Sequence, residues 1–191
     1  MAYSKEPNKT LRRLLILTIV IWAIGAFPLF AKMAGFQFLP SVQWYQDSMR
    51  AAWGVGIFTG AFGALMIFRG GVRDEPGGMS LKSLVLTLFS PLFFGALGMH
   101  AVSVGFPILY TSVFGTYGEH QYVVQRAEGF SDRKCRNRIE LRGNPFMYDQ
   151  ICGLSEEFRN ALQPGMQLTV FGRSSHFGVI VAGARADQPQ T

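Results

Sequence analysis

A chain of 191 residues that is 49% hydrophobic and only 16% charged, with 17 Phe and 22 Gly, is too poor in charge for an ordinary soluble domain, where about 25% charged residues is usual. The formal net charge of +6 suggests a nucleic-acid partner only until the charges are located: Gly115–Thr191 holds 9 basic and 8 acidic residues, so the excess lies in Met1–Phe114, flanking apolar runs. That placement is a membrane-topology signal and excludes a nucleic-acid footprint.

The N-terminal tail carries Lys5, Lys9, Arg12 and Arg13 against Glu6, and an apolar run follows from Leu14 to Ala31. A run of that length crosses a hydrocarbon core of about 30 Å. Ala31-Lys32-Met33 is a poor cleavage site for a secretory leader, so the reading is an uncleaved span over 14–31. After Pro40, Val42, Tyr45, Met49 and Trp53 recur at helical spacing with polar residues between them. This predicts a short amphipathic helix lying in the membrane interface.

The second span is expected over 51–68. Within it Ala52, Gly56, Gly60 and Ala64 fall at steps of four, a spacing that lets helix backbones approach closely in lipid. The row serves packing within the chain's own bundle or, on the sharper reading, a homo-oligomer. The Arg69–Lys82 connector is rich in Gly and Pro, and it lacks the strand and the Gly-Lys-Ser/Thr of a phosphate-binding loop. The third span is expected over 83–105, with Pro91 and Pro107 as kinks or ends and a reentrant or interfacial tail to Phe114. The Lys/Arg bias of the flanks places the N-terminus in the cytoplasm and the C-terminal segment outside.

From 115 to 186 the texture becomes that of a small α+β, β-rich domain, with 187–191 a disordered tail. Gln121–Ala127 is rich in strand formers. Lys134–Arg142 alternates: Cys135, Asn137, Ile139 and Leu141 share one face, and Arg136, Arg138, Glu140 and Arg142 the other. Gly143-Asn144-Pro145 is a turn, Phe146–Cys152 a third strand, and Ser155 caps a short helix that Pro164-Gly165 ends. Two strands joined by Arg173–His176 follow. Strand-strand-strand-helix-strand-strand is the order of an OB-like barrel, and an SH3-like barrel or small sandwich fits nearly as well.

The candidate chemistry is sparse. Cys135 and Cys152 lack the spacing of a redox or zinc motif, and none of the three His sits at a ligand interval from them. In an oxidising compartment the expectation is a structural disulfide, with unpaired buried thiols or metal or redox chemistry as the alternatives. Arg136, Arg138 and Arg142 are candidate partner-binding residues, with a solvated strand face as the plain alternative. Ser174, Ser175 and His176 resemble fragments of a hydrolase site but lack a G-x-S-x-G elbow. His100 is an ionisable group within an apolar run and hence a candidate for transport, although the spans hold no acidic partner for it.

The expectation is therefore a three-helix transmembrane bundle of a bacterial inner membrane carrying a periplasmic β-domain. It needs no metal or cofactor and has no catalytic constellation. Its partners are membrane lipid and another envelope protein, with no nucleic acid. The alternatives are a small transport or channel subunit acting as an oligomer, and an envelope hydrolase.

Overall fold

A computed structural model describes residues 9–73, 81–127 and 135–186, without the side chains of 70–73 and 81–83. The tail before Lys9, most of the connector between the second and third helices, Lys134 and the tail expected over 187–191 lie outside the described residues. The elements are α1 (Lys9–Met33), β1 (Phe38–Pro40), α2 (Val42–Arg73), α3 (Leu81–His100), a π-helical turn (Ala101–Gly105), α4 (Phe106–Phe114), β2 (Thr116–Arg126), β3 (Ile139–Leu141), β4 (Gln150–Ile151), α5 (Glu156–Ala161), β5 (Gln167–Ser175) and β6 (Gly178–Ala186). The chain divides into two compact units: 1–27 with 50–102, and 28–49 with 103–191.

Three helical stretches are long and apolar enough to cross a membrane: Lys9–Met33, Val42–Arg69 and Leu84–Phe114. They differ from the sequence reading in two ways. The amphipathic segment after Pro40 is not a separate interfacial helix but the first turns of α2. No Pro or Gly occurs between Val42 and Trp53, so nothing stops the helix once it starts. Ser41 starts it, accepting the Trp44 amide on its hydroxyl at 3.1 Å. The third apolar region does not end in a reentrant loop. Pro91 lies inside α3, and Pro107 follows directly on the π-helical turn within a continuous helical stretch.

In the first unit, close backbone approach fixes the packing. A methyl group at Gly25 of α1 would lie 2.0 Å from the Leu97 carbonyl oxygen of α3, and one at Gly60 of α2 would lie 2.6 Å from that of Pro91. The Thr59 hydroxyl sits 2.8 Å from the Val55 carbonyl of its own helix and 3.1 Å from the Phe94 carbonyl of α3. Trp22 stacks on Phe94 with ring centroids 4.1 Å apart.

The second unit is built on a nearly closed antiparallel sheet of six strands in the order β1-β6-β5-β2-β3-β4. Leu39, Tyr122, Val124, Ile139, Leu141, Ile151, Leu168, Val170 and Val179 fill its interior. A β-bulge at Phe171/Gly172 curls β5. Any side chain at Gly172 would run into the Ile180 carbonyl 2.0 Å away.

The sheet includes a strand from far outside 115–186. β1, in the connection between α1 and α2, pairs with β6 through Phe38↔Ile180, Leu39↔Val179 and Pro40↔Gly178. The Tyr122 hydroxyl, inside the core, reaches the Leu39 and Pro40 carbonyls at 3.2 and 3.3 Å. At the seam beside β4, the Gln37 amide donates to the Cys152 carbonyl and accepts from the Cys152 N–H, both at 3.0 Å. A side chain thus replaces the missing ladder rungs between the sheet's two edges.

The strand expected over Lys134–Arg142 is shorter. Asn137 has φ 53 and breaks it, leaving β3 at Ile139–Leu141. The Asn137 side chain stabilises the break by donating to the Leu154 carbonyl at 2.6 Å. The buried set Cys135, Ile139 and Leu141 still faces inward. The third strand shrinks to β4, and β5 runs on through Ser175, so only His176 and Phe177 form the turn to β6. The expected helix is α5, capped by Ser155, whose hydroxyl accepts from Phe158 N.

Two tests follow. Gly25→Ala forces α1 away from a backbone carbonyl that cannot move aside and is expected to destabilise the detergent-solubilised protein by about 1–3 kcal/mol; Gly54→Ala, where the space is open, leaves the melting temperature unchanged or slightly raised. Gln37→Ala orphans both backbone groups of Cys152 and is expected to cost about 1–3 kcal/mol, with Gln37→Glu intermediate because it accepts but does not donate.

Candidate interaction surface

Cys135 and Cys152 form a disulfide with a Cα–Cα distance of 5.0 Å. It ties the bridge residue before the Asn137 turn to the residue following β4. The Gly153 amide adds a bond to the Arg136 carbonyl at 2.8 Å. The staple and the Gln37 clasp therefore converge on Cys152.

The three arginines between the cysteines do not lie on one continuous strand, because the Asn137 turn intervenes. Arg136 and Arg142 are exposed, whereas Arg138 pairs with Glu140 at 3.0 Å. Among the described residues, two exposed cations without an ion pair therefore flank a paired one.

Ser174, Ser175 and His176 are adjacent in sequence but separated in role. The Ser175 hydroxyl is 2.7 Å from the Thr111 hydroxyl of α4 and accepts the Phe177 amide at 3.2 Å. His120 reaches the Ser175 carbonyl, at 2.9 Å, rather than its hydroxyl. His176 is exposed in the turn, and its carbonyl accepts from Ser41 at 3.2 Å. These bonds lock the β5–β6 turn to α4 and to the start of α2. Ser41, Gln43, His120, Tyr122 and His176 line a shallow cleft beside it.

In the helix row, Ala52, Gly56 and Gly60 are buried and Ala64 is half-buried. Gly56 and Gly60 face Gly95 of α3, and Gly56 also meets Met99. His100 ends α3, half-buried and with a contact of its own. Among the described residues no group of three or more His, Cys, Asp or Glu is arranged to hold a metal ion.

The most distinctive surface was not among the residues singled out by sequence. Phe177 is the hub of an aromatic cluster, with ring centroids 4.6 Å from Trp44, 5.3 Å from Phe106 and 5.0 Å from Tyr110. Tyr110 in turn lies 5.0 Å from Phe114. α4 buries Pro107, Ile108 and Thr111. On its other side Phe106, Tyr110, Val113 and Phe114 are exposed. Their steps of three and four residues make one stripe. No Asp, Glu, Lys or Arg occurs between Lys82 and Glu119, so α4 is uncharged all round, with Thr111 and Ser112 bonded to neighbouring groups. The uncharged run was legible. The hub was not, because Phe177, Trp44 and Phe106 are distant in sequence.

A second cluster surrounds Lys32 near the end of α1. Its ammonium donates to the Met147 carbonyl and lies 5.5 Å from the centre of the Tyr148 ring. Burial pushes the Tyr148 phenol up to about 12, so the ring stays neutral and the contact is cation–π.

The chain matches no protein-family model, no curated protein and no solved structure. Removing the staple gives the clearest stability test here. Replacing both Cys135 and Cys152 by Ala is expected to cost about 3 kcal/mol in the chain-entropy model, seen as a lower melting temperature that a reducing agent reproduces in the unsubstituted protein and leaves unchanged in the variant.

Proposed function

We propose that this is a multi-pass protein of a bacterial inner membrane whose sheet domain is periplasmic and binds another envelope protein without catalysing a reaction. Three features support the location. The three long helices are apolar enough to span. Basic residues concentrate at their N-terminal flank and in the Arg69–Lys82 connector, which favours a cytoplasmic N-terminus. A disulfide staple suits an oxidising compartment. The pairing β4-β3-β2-β5-β6, with a helix between β4 and β5, supports an OB-like barrel with β1 inserted at its seam.

The observation that carries the functional reading is the exposed Phe106–Tyr110–Val113–Phe114 stripe. About 20 residues of helix cross a bilayer core, and Leu84–Phe114 has 31. α4 is therefore surplus to the span, and an uncharged aromatic stripe on surplus helix suits a groove on another protein. Arg136 and Arg142 add a cationic element that favours an acidic partner. The reading as an oligomeric transport subunit depends on His100 and on the row of small residues, whose Gly56 and Gly60 already face Gly95 of α3. The hydrolase reading depends on Ser174, Ser175 or His176, of which Ser175 has its hydroxyl engaged by Thr111 and Phe177 and His176 stands exposed in the turn.

The test is site-specific photo-crosslinking in native membranes from positions 106 and 114. One discrete protein adduct is expected, lost in Tyr110→Ser with the Cys135–Cys152 bond and the melting temperature retained. Adducts to lipid or to a second copy alone would refute a protein partner.

A further inference from the structure

We infer that the turn between β3 and β4 is a membrane-surface anchor, its tip residues Phe146 and Met147 immersed in the outer interfacial layer of the bilayer. The inference rests on the reading of α1 as a span.

The turn presents unusual residues. Phe146 is 85% exposed and Met147 is 39% exposed. Met147 has φ 75, a conformation a side chain rarely adopts without being held there. Three contacts hold it. The Lys32 ammonium binds the Met147 carbonyl. Tyr148 is buried against Ala31, Phe38, Val104 and Ile108. The Tyr148 amide closes the turn on the Pro145 carbonyl at 2.9 Å. At the other end of the turn, Gly143 sits against Val42, where a methyl group would approach the Val42 side chain to 3.0 Å.

These contacts set the depth of the turn. Along α1, the residues after Arg13 are uncharged until Lys32, and at 1.5 Å per residue the segment Leu14–Met33 covers about 30 Å, the thickness of the hydrocarbon core. Lys32 therefore stands at the outer boundary of the core, and it is the residue that grips Met147. Met147 therefore lies at that boundary. Around that point Met33 and Phe36 are also exposed, at 80% and 60%, and Lys32, Phe36 and Met147 line one cleft. Phe36 and Met147 lining a cleft with Lys32 at that depth, with the exposed Met33 and Phe146 beside Lys32 and Met147 in sequence, match the chemistry of the headgroup–acyl boundary, where apolar groups enter and a lysine snorkels.

The experiment places a small environment-sensitive fluorophore on Phe146→Cys, labelled without reductant so that the native disulfide persists, in the full-length protein in phospholipid nanodiscs. Phe30→Cys, on the exposed face of α1, and Glu157→Cys, exposed on α5, are the references. The label at 146 is expected to emit blue-shifted relative to 157, to lose intensity when the acyl chains carry bromine, and to resist iodide. A label at 146 that behaves like 157 while 30 is quenched by bromolipid overturns the anchor and leaves the span intact. A label at 30 that escapes bromolipid overturns the span and the anchor with it.

Discussion

A curved sheet that stops short of closing leaves two edges of unpaired backbone, and the second unit is organised around satisfying them. β1 covers one edge by pairing with β6, and the Gln37 amide reaches the other at Cys152. The pieces that close the sheet therefore come from the short connection between two apolar helices. Unpaired buried backbone groups cost about 1–3 kcal/mol each, a sizeable fraction of the roughly 5–15 kcal/mol net stability of a domain. The sheet therefore needs residues 37–40 as much as it needs its own later strands.

The other contacts around Cys152 reinforce the same seam. The disulfide holds Cys152 to Cys135, and Gly153 bonds to Arg136. Covalent and hydrogen-bonded ties thus meet where the sheet has fewest backbone rungs. Lys32 and Tyr148 continue the arrangement to the end of α1. The β5–β6 turn is held in a similar way, by Ser41, Thr111 and Phe177. These local ties leave the Phe106–Tyr110–Val113–Phe114 stripe on α4 exposed.

Much of this is legible in the sequence wherever the signal is local. The three apolar helices follow from runs such as Leu14–Ala31 bounded by Arg13 and Lys32. α5 follows from Ser155 with Glu156 and Glu157 behind it, and β5 and β6 from their β-branched residues. The signals that mislead are those that a distant partner overrides. Phe38-Leu39-Pro40 is three residues long and ends in proline, so it resembles a loop until β6 is beside it. The alternation over Lys134–Arg142 is real for the buried side chains, yet Asn137 turns the backbone because Leu154 accepts its side chain. Phe177 gives no hint of being a hub, since its neighbours lie on α2 and α4. The arginines, prominent in sequence, are divided by the same turn.

The proposed partner and the anchoring turn require an exterior location for the sheet domain, and the disulfide suits one. The direct measurement is labelling of single introduced cysteines by a membrane-impermeant maleimide in cells with a permeabilised outer membrane and an intact inner one. Gln163→Cys, exposed after α5, should label without disrupting the inner membrane, and Lys9→Cys, exposed at the start of α1, only after disruption. The opposite pattern, with Lys9→Cys labelled first and Gln163→Cys protected, would contradict the account.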